Sequence, residues 1–598
     1  MNYGKTTKSR YLYLLVPLLL FVFIGSISVY GQDTITGDVT YSTDTTLTSS
    51  TRIIYLNTSG TQTLNVKAED CAVSLNMKST TNVHTVAITQ ANKTVSFSGD
   101  TINIKAENTG TGINYALHNN SASDVNFTAE HTTLESIGDQ ARAMWASGAS
   151  SDYATVNFNG GKTVDLKVVG KGASSGVYAG AHSTTSFNNI TEHILIDVKG
   201  SAATGISVYP TATGSSASVN FNDITGNINI KTVAGTGESS GIYTRPTGNG
   251  TVSVNFNNVK NVVISSESTS GRSFGIYAYT GTAGTSEVTV DSPYVDITAT
   301  SETDSAQAVY AMKTSTGASK ITFKNNGGSA IVNLTATGAS MASSGTEEIF
   351  GARAYGGQIV FENLTTNIKA ERTDGNYSTF GVRSYTTTGN ITFDNANGNV
   401  NIDVISNATV DTAASIGAAT FSGGNVVFNN LKTNISIQEN GKGYGYGVLV
   451  NNGYINFNNE SGVLDIQATA PDNAIGIATV ATTAGLASTV DVKNLTTNIK
   501  AINLNADVDV NVEADAFGLY AANTVNSESS ITFSNENSSL IISAKHTGDR
   551  FSYGAYAYGE HSAIILNNKY IDIYSEAQDM GRTYSLYTVN GADMRVNA

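Results

Sequence analysis

A phenylalanine closes a segment of the form V-x-V-x-F again and again along this chain, as in Val252, Val254 and Phe256. The column reads Phe97, Phe127, Phe158, Phe187, Phe221, Phe256, Phe323, Phe361, Phe393, Phe428, Phe457 and Phe533, with Val290, Val492 and Leu566 in its three gaps. A second column, Gly-Ile-Tyr-Ala, opens clear copies at Gly112, Gly176, Gly241, Gly275, Gly381, Gly447, Gly476, Gly518 and Gly554. Weaker copies begin at Ala143, Ser207, Ala308, Gly351, Gly417 and Ser585. The period is about 34 residues, which marks a stack of repeated units rather than independent globules. The octamer NLTTNIKA even occurs twice unchanged, at 363–370 and 494–501, four repeats apart by the Phe column.

Each unit reads as three short strands: V-x-V-x-F, then Asn-Ile-x-Ile as around Ile228 and Ile230, then Gly-Ile-Tyr-Ala. Alternation turns one apolar face of each strand inward. So short a strand cannot bury that face alone, but copies stacked in register cover one another. An Asn recurs two places after the Phe, at 189, 258, 325, 363, 395, 430, 459, 494, 535 and 568. Asn accepts the left-handed conformation a sharp corner needs, and its stacked amides can bond from coil to coil. Length varies mostly between the second and third strands, as at 338–348 and 506–516, which places loops on one side of the stack. Pro210 and Pro246 directly follow the third strand, where no ladder bond is lost.

These features predict an all-β, right-handed parallel β-helix of three short strands per coil and about sixteen coils, a rod roughly 75–80 Å long. A β-propeller is the alternative, but its blades carry four strands and rarely exceed about eight. Residues 97–598 form the repetitive body, and 32–96 an N-terminal cap with the first coils. Composition agrees: 58 Gly and 29 Tyr against 5 Pro and 14% charged residues is strand-and-turn chemistry. Cys71 stands alone, so no intramolecular disulfide holds the chain. The net charge of −15 argues against nucleic acid or an anionic membrane as partner.

Residues 1–31 read as a secretory signal peptide: Lys5, Lys8 and Arg10 precede an apolar run from Tyr11 to Ile24, with cleavage expected before Gln32. The run is shorter than the roughly 18–20 residues of a spanning helix. With that leader, a long, acidic, cysteine-poor three-strand repeat resembles the passenger of a bacterial autotransporter (type V secretion). The resemblance implies display at the surface of a Gram-negative cell, outer-membrane association, and action as an adhesin. It also implies a membrane-spanning β-barrel translocator, which nothing here matches. Repeat strands continue to Leu586 and Tyr587, so the barrel is expected from further C-terminal sequence or a separate chain.

No motif carries obvious chemistry. Two G-x-S-x-G matches surround Ser174 and Ser239, but both fall just before the Gly-Ile-Tyr strand, the place of a turn, with no helix after them. The histidines 84, 118, 131, 182, 193, 546 and 561 show no metal-site spacing. Asp507, Asp509, Glu513 and Asp515 alternate and could offer oxygens to calcium, yet lack the glycine of a known loop, so a solvated face is the simpler reading. A β-helix glycosidase or polysaccharide lyase would need carboxylates converging from neighbouring coils; Asp165, Asp197 and Glu302 lie near second strands in different registers. The expectation is a non-catalytic rod without cofactor or metal, contacting a host or cell-surface glycan or protein. A carbohydrate-active enzyme and a purely structural surface protein are the alternatives. Tyr115, Tyr178, Tyr209, Tyr243, Tyr277, Tyr310, Tyr520, Tyr556 and Tyr587 share one column, with Trp145 in register. If the flanking Ile faces the core, this column faces out, and Tyr178, Tyr243, Tyr277 and Tyr310 form its candidate ligand platform. A structural stack at the foot of the loops is the competing reading.

Overall fold

The computed structural model describes residues 38–597 except 51, 58, 149–152, 326–329, 341–347, 363, 505–514, 549, 579–580 and the side chain of 340, together with the backbone of Ile27–Tyr30. Among the described residues, 48 strands wind into a parallel β-solenoid of about 16 turns, about 33 residues each, and there are no helices. Most of the expected leader lies outside the described residues; the backbone of Ile27–Tyr30 pairs in parallel with Thr45–Thr48.

One coil shows the plan. Thr251–Asn257, Asn261–Ser268 and Ser273–Thr280 form its three sides. Each side pairs with the equivalent strand one coil before and one coil after, in register. Phe256 lies between Phe221 and Val290, Ile264 between Ile230 and Ile297, and Tyr277 between Tyr243 and Tyr310. The Phe column is the spine of the core. Phe256 is fully buried, its ring 4.6 Å from that of Phe221 and 3° from parallel. Val290, Val492 and Leu566 fill the gaps as the sequence predicts.

The corner asparagines divide into three uses. Asn189 and Asn258 adopt the left-handed conformation, as does Asp223 in the same column. Asn395, Asn459 and Asn535 instead open longer turns, their side-chain oxygens accepting from the N–H two residues on. Asn430 and Asn568 are buried and donate to Thr433 Oγ1 and Ser538 Oγ. Asn363 lies outside the described residues. The expected ladder makes one rung at the corner, where Asn258 Nδ2 donates to Asp223 Oδ1 at 2.8 Å. Otherwise it runs along outward strand positions, through Asn159, Asn188, Asn222 and Asn257 on the first side and Asn333, Asn367, Asn401 and Asn434 on the second. There the strand spacing is constant, whereas corners differ in length from coil to coil.

The third side breaks period two. Gly275 is skipped in the pairing, so Phe274 and Tyr277 both face outward while Gly275 and Ile276 both face inward. A Cβ on Gly275 would lie 2.2 Å from Ile297 Cγ2 in the next coil. The same clash with an isoleucine Cγ2 recurs down the column, for example at Gly241 with Ile264 and Gly518 with Ile542. Where the column holds alanine, at 116, 143 and 308, the residue in the isoleucine column of the next coil is Leu134, Leu166 or Leu334. Leucine has no Cγ2 branch, and that leaves room for one methyl. Thr85 above Ile104 departs from the pattern and turns its hydroxyl to the Lys105 carbonyl.

Two sequence alignments need correction here. Gly112 has a positive φ and precedes its strand; Ala116 holds the column position. Gly205, not Ser207, begins the copy in Ala202–Val208.

Candidate functional site

The three outer surfaces of the solenoid differ in chemistry. The first side shows Asn, Ser and Thr, and the second adds alternating charges, such as Lys105 Nζ 3.1 Å from Glu135 and Lys167 Nζ 2.9 Å from Asp165. Single exposed tyrosines occur on the first side at Tyr454 and on the second at Tyr294, Tyr570 and Tyr574, but only the third side gathers aromatics into columns. Because of the glycine break it carries three columns that point away from the main core, at Phe274, Tyr277 and Tyr279 of the representative coil, the first of them covered over and fully buried. The sequence reading found the middle one. Its members in register are His118, Trp145, Tyr178, Ser207, Tyr243, Tyr277, Tyr310, Arg353, Arg383, Ala419, Leu449, Ala478, Tyr520, Tyr556 and Tyr587. Tyr115 and Tyr209 do not belong to it. Tyr115 pairs with Arg142 in the Phe274 column, and Tyr209 follows Val208, beside Arg245 in the Tyr279 column.

The Phe274 column continues through Phe350, Phe380, Ile416, Tyr446, Ile475, Phe517, Tyr553 and Tyr584. With its neighbours it makes two apolar clusters outside the main core, one around Phe350 and Phe380 and one around Phe517 and Tyr553, both touching Tyr446 and Leu449. Period-two reasoning missed this column because it lies an odd number of residues from the tyrosines. The recurring aromatic just before the glycine was its signal.

Of the four candidate platform tyrosines, Tyr178 and Tyr310 are buried, whereas Tyr243 and Tyr277, on adjacent coils, are half-buried. Trp145 and Tyr178 stack at 4.1 Å and 6°, and Tyr277 and Tyr310 at 5.0 Å and 6°; Tyr243 meets Tyr277 tilted by 46°. Parallel rings this close can only be offset face to face. Their faces are therefore occupied by one another, and the surface presents the edges of the half-buried Tyr243 and Tyr277, the Tyr277 hydroxyl turning to Met312 Sδ at 3.3 Å. Tyr178 donates to the Tyr209 carbonyl at 2.9 Å. Burial pushes the Tyr178 phenol up to about 12 and raises those of Tyr243, Tyr277 and Tyr310, so all remain neutral donors.

At the N-terminal end the surface brings together His84 and His118, one repeat apart in sequence. Their Nδ1 atoms lie 3.0 Å apart beside Tyr115. Burial, then the Arg52 charge, pulls His84 down to about 4. Burial, then His84 and Arg52, pulls His118 to about 3. Both are neutral near pH 7, one donating to the other. Local motif spacing could not show this pair, whereas the repeat length could.

The remaining candidates resolve differently. Ser174 and Ser239 lie within the third strand, not in a turn. Ser239 is buried and bonded to Thr232 Oγ1 at 2.9 Å and Ser266 Oγ at 2.8 Å, with no imidazole among its partners. Asp165 pairs with Leu195 and Asp197 with Lys167, so these two acids stand two positions out of register. Asp165 is engaged by Lys167 and by His193 Nε2 at 3.0 Å. Asp100, Glu130 and His131 approach within 4.8 Å of one another. Lys162 already pairs with Glu130, and Thr163 Oγ1 lies 3.0 Å from His131 Nδ1. Asp507, Asp509 and Glu513 lie outside the described residues; Asp515 accepts from Phe551 N at 3.2 Å. Cys71 is free and buried, its thiol raised by burial and then by Asp44, Asp100 and Asp70.

No family model, curated protein or solved structure matches this chain. Function therefore has to be argued from the surface itself.

Proposed function

We propose that this protein is the exported β-helix passenger of a Gram-negative type V system, displayed as a non-catalytic rod for adhesion to a host or neighbouring cell. The observation that supports this reading is the outer surface of the third side. Its aromatic columns recur, with interruptions, over the coils from Tyr115 to Tyr587, while the other two sides are mostly polar and carry aromatics only singly. Repetition of one surface element along a rod gives reach and many weak contacts in parallel, which suits attachment better than turnover at one centre. Display would need a translocating β-barrel, in further sequence or in a partner chain, because a polar solenoid cannot span lipid.

The test is binding of the purified protein to host cells and matrix, with Tyr243→Ser/Tyr277→Ser compared with wild type. Weaker attachment with unchanged circular dichroism supports a binding surface. Loss of fold with no separable loss of attachment would assign the tyrosines to structure alone, and a wild-type protein that attaches to nothing would remove the adhesion reading.

A further inference from the structure

Arginine and lysine are segregated on this rod. Arg142, Arg353, Arg383 and Arg582 lie within third strands, and Arg245, Arg272 and Arg550 directly at their ends, whereas Lys313 is the only lysine in a third strand among the described residues. Lysines on the other sides are largely paired with acids, as Lys105 with Glu135 and Lys369 with Glu371. Arg142, Arg245 and Arg353 have no carboxylate within 4.0 Å among the described residues, in a chain of net charge −15. Each is held instead by aromatic rings. Arg142 sits 4.6 Å from Trp145 and 4.9 Å from Tyr178, Arg245 5.3 Å from Tyr209 and 5.0 Å from Tyr279, and Arg353 4.5 Å from Phe350 and 4.9 Å from Tyr310.

We propose that the arginine-bearing stretch of the third side, from Arg142 to Arg353, is a docking track for an anionic polysaccharide, one carrying carboxylate or sulfate groups. This rests on the adhesion reading above and narrows it to a ligand class. A guanidinium fixed against a ring keeps its planar fork of donors in one orientation, matched to a two-oxygen anion, with little side-chain entropy left to lose. Tyrosine hydroxyls use some of those donors: Arg142 Nη1 donates to Tyr115 Oη at 2.9 Å, and Arg245 bonds the Tyr243 side chain. The three guanidinium groups are half-buried, so their charges are less screened than on an open surface.

Spacing decides the kind of anion. The three arginines lie on every third coil, about 14 Å apart along the axis at about 4.8 Å per coil. They stand in three different columns, so the charges are staggered across the face as well as spaced along it, which fits an extended chain of separated charges and not one small anion. Nucleic acid carries a charge per about 1.7 Å of duplex and needs a far denser cationic stripe. An acidic peptide would gain most by adding a strand, but these strands are paired on both edges by the coils before and after. Sugars bearing one charge every one or two residues, lying across tyrosine edges, satisfy both constraints.

The experiment measures affinity of the full chain for polygalacturonate and heparin as carboxylated and sulfated probes, with dextran as the neutral glycan and polyglutamate as the acidic peptide. Wild type should bind one or both anionic glycans, more weakly as salt rises, and dextran much less. Arg142→Gln/Arg245→Gln/Arg353→Gln should weaken that binding by about tenfold or more. Lys199→Gln/Lys231→Gln/Lys500→Gln, the same change of net charge on exposed second-strand positions, should stay within about twofold. The triple Arg→Lys variant keeps charge and stem packing and should still lose about threefold, because an ammonium cannot form the fork. Wild-type attachment to cells with no affinity for either glycan, or an unchanged affinity in the folded arginine variants, overturns the track while leaving adhesion intact. Polyglutamate bound as tightly as the glycans overturns the polysaccharide class.

Discussion

Replacing Gly275 by alanine puts a methyl carbon 2.2 Å from Ile297 Cγ2 and 2.5 Å from the Ala308 carbonyl oxygen. Ordinary carbon contacts lie at about 3.5–4.0 Å, so the next coil must shift or Ile297 must leave its rotamer. Overpacking of this kind costs about 1–3 kcal/mol. The backbone of Gly275 is not left-handed, so the alanine also removes unfolded-chain entropy, a gain of about 0.4–1 kcal/mol. The net loss is about 1–2 kcal/mol. Ile297→Leu alone should cost about 1 kcal/mol, since the γ-branch that fills the glycine site is lost. Together the two changes recreate the arrangement already present at Ala308 and Leu334. The double variant should therefore be more stable than the sum of the singles by about 1–2 kcal/mol. Coils couple mainly to their neighbours, so the readout should be local: hydrogen exchange of Ser273–Thr280 and Ala306–Lys313, beside the urea midpoint of the full chain. Effects that add within about 0.5 kcal/mol would show that the glycine column is not set by the isoleucine branch.

Phe256→Ala should cost about 3–5 kcal/mol in local stability, because it removes the fully buried ring that ends the stack from Phe97, while Ser253→Ala on the outer side should cost under about 0.5 kcal/mol. Equal protease sensitivity of the two would reverse the inward assignment. Glu439→Ala should destabilise by about 3–5 kcal/mol, since it strands the buried Arg372 guanidinium, which lies 3.4 Å from Glu439 Oε2 and 3.0 Å from Ser406 Oγ; Arg372→Met/Glu439→Leu should recover much of the loss in urea unfolding. His84 and His118 are held neutral in the folded chain with values of about 4 and about 3, against 6.5 for free imidazole. The unfolded chain takes up these protons first, so stability is complete above about pH 6.5 and falls toward about pH 4. The titrating pair faces Arg52, Tyr115 and Arg142, and its first coils should become protease-sensitive in that window; His84→Phe/His118→Phe should abolish the pH dependence.

The period of the chain, the three strands and the inward Phe and Ile columns are properties of the sequence alone. Alternating apolar residues at a fixed repeat can bury themselves only by stacking, and Val290, Val492 and Leu566 could be placed in the Phe column by counting. The outer surface was legible only in part. Counting by two from Ile276 finds Tyr277 and Tyr279, but Phe274 faces the same way because two consecutive residues turn inward at Gly275. That break arises from contact with Ile297 in the next coil, a residue more than twenty positions away. The asparagines after the Phe column share one sequence position yet serve three uses, since each corner's length and neighbours decide what the side chain can reach. His84 with His118, and Arg372 with Glu439, likewise meet only because coils are stacked. A strand's own alternation fixes which side chains are buried, but the adjoining coil decides which exposed ones stand together.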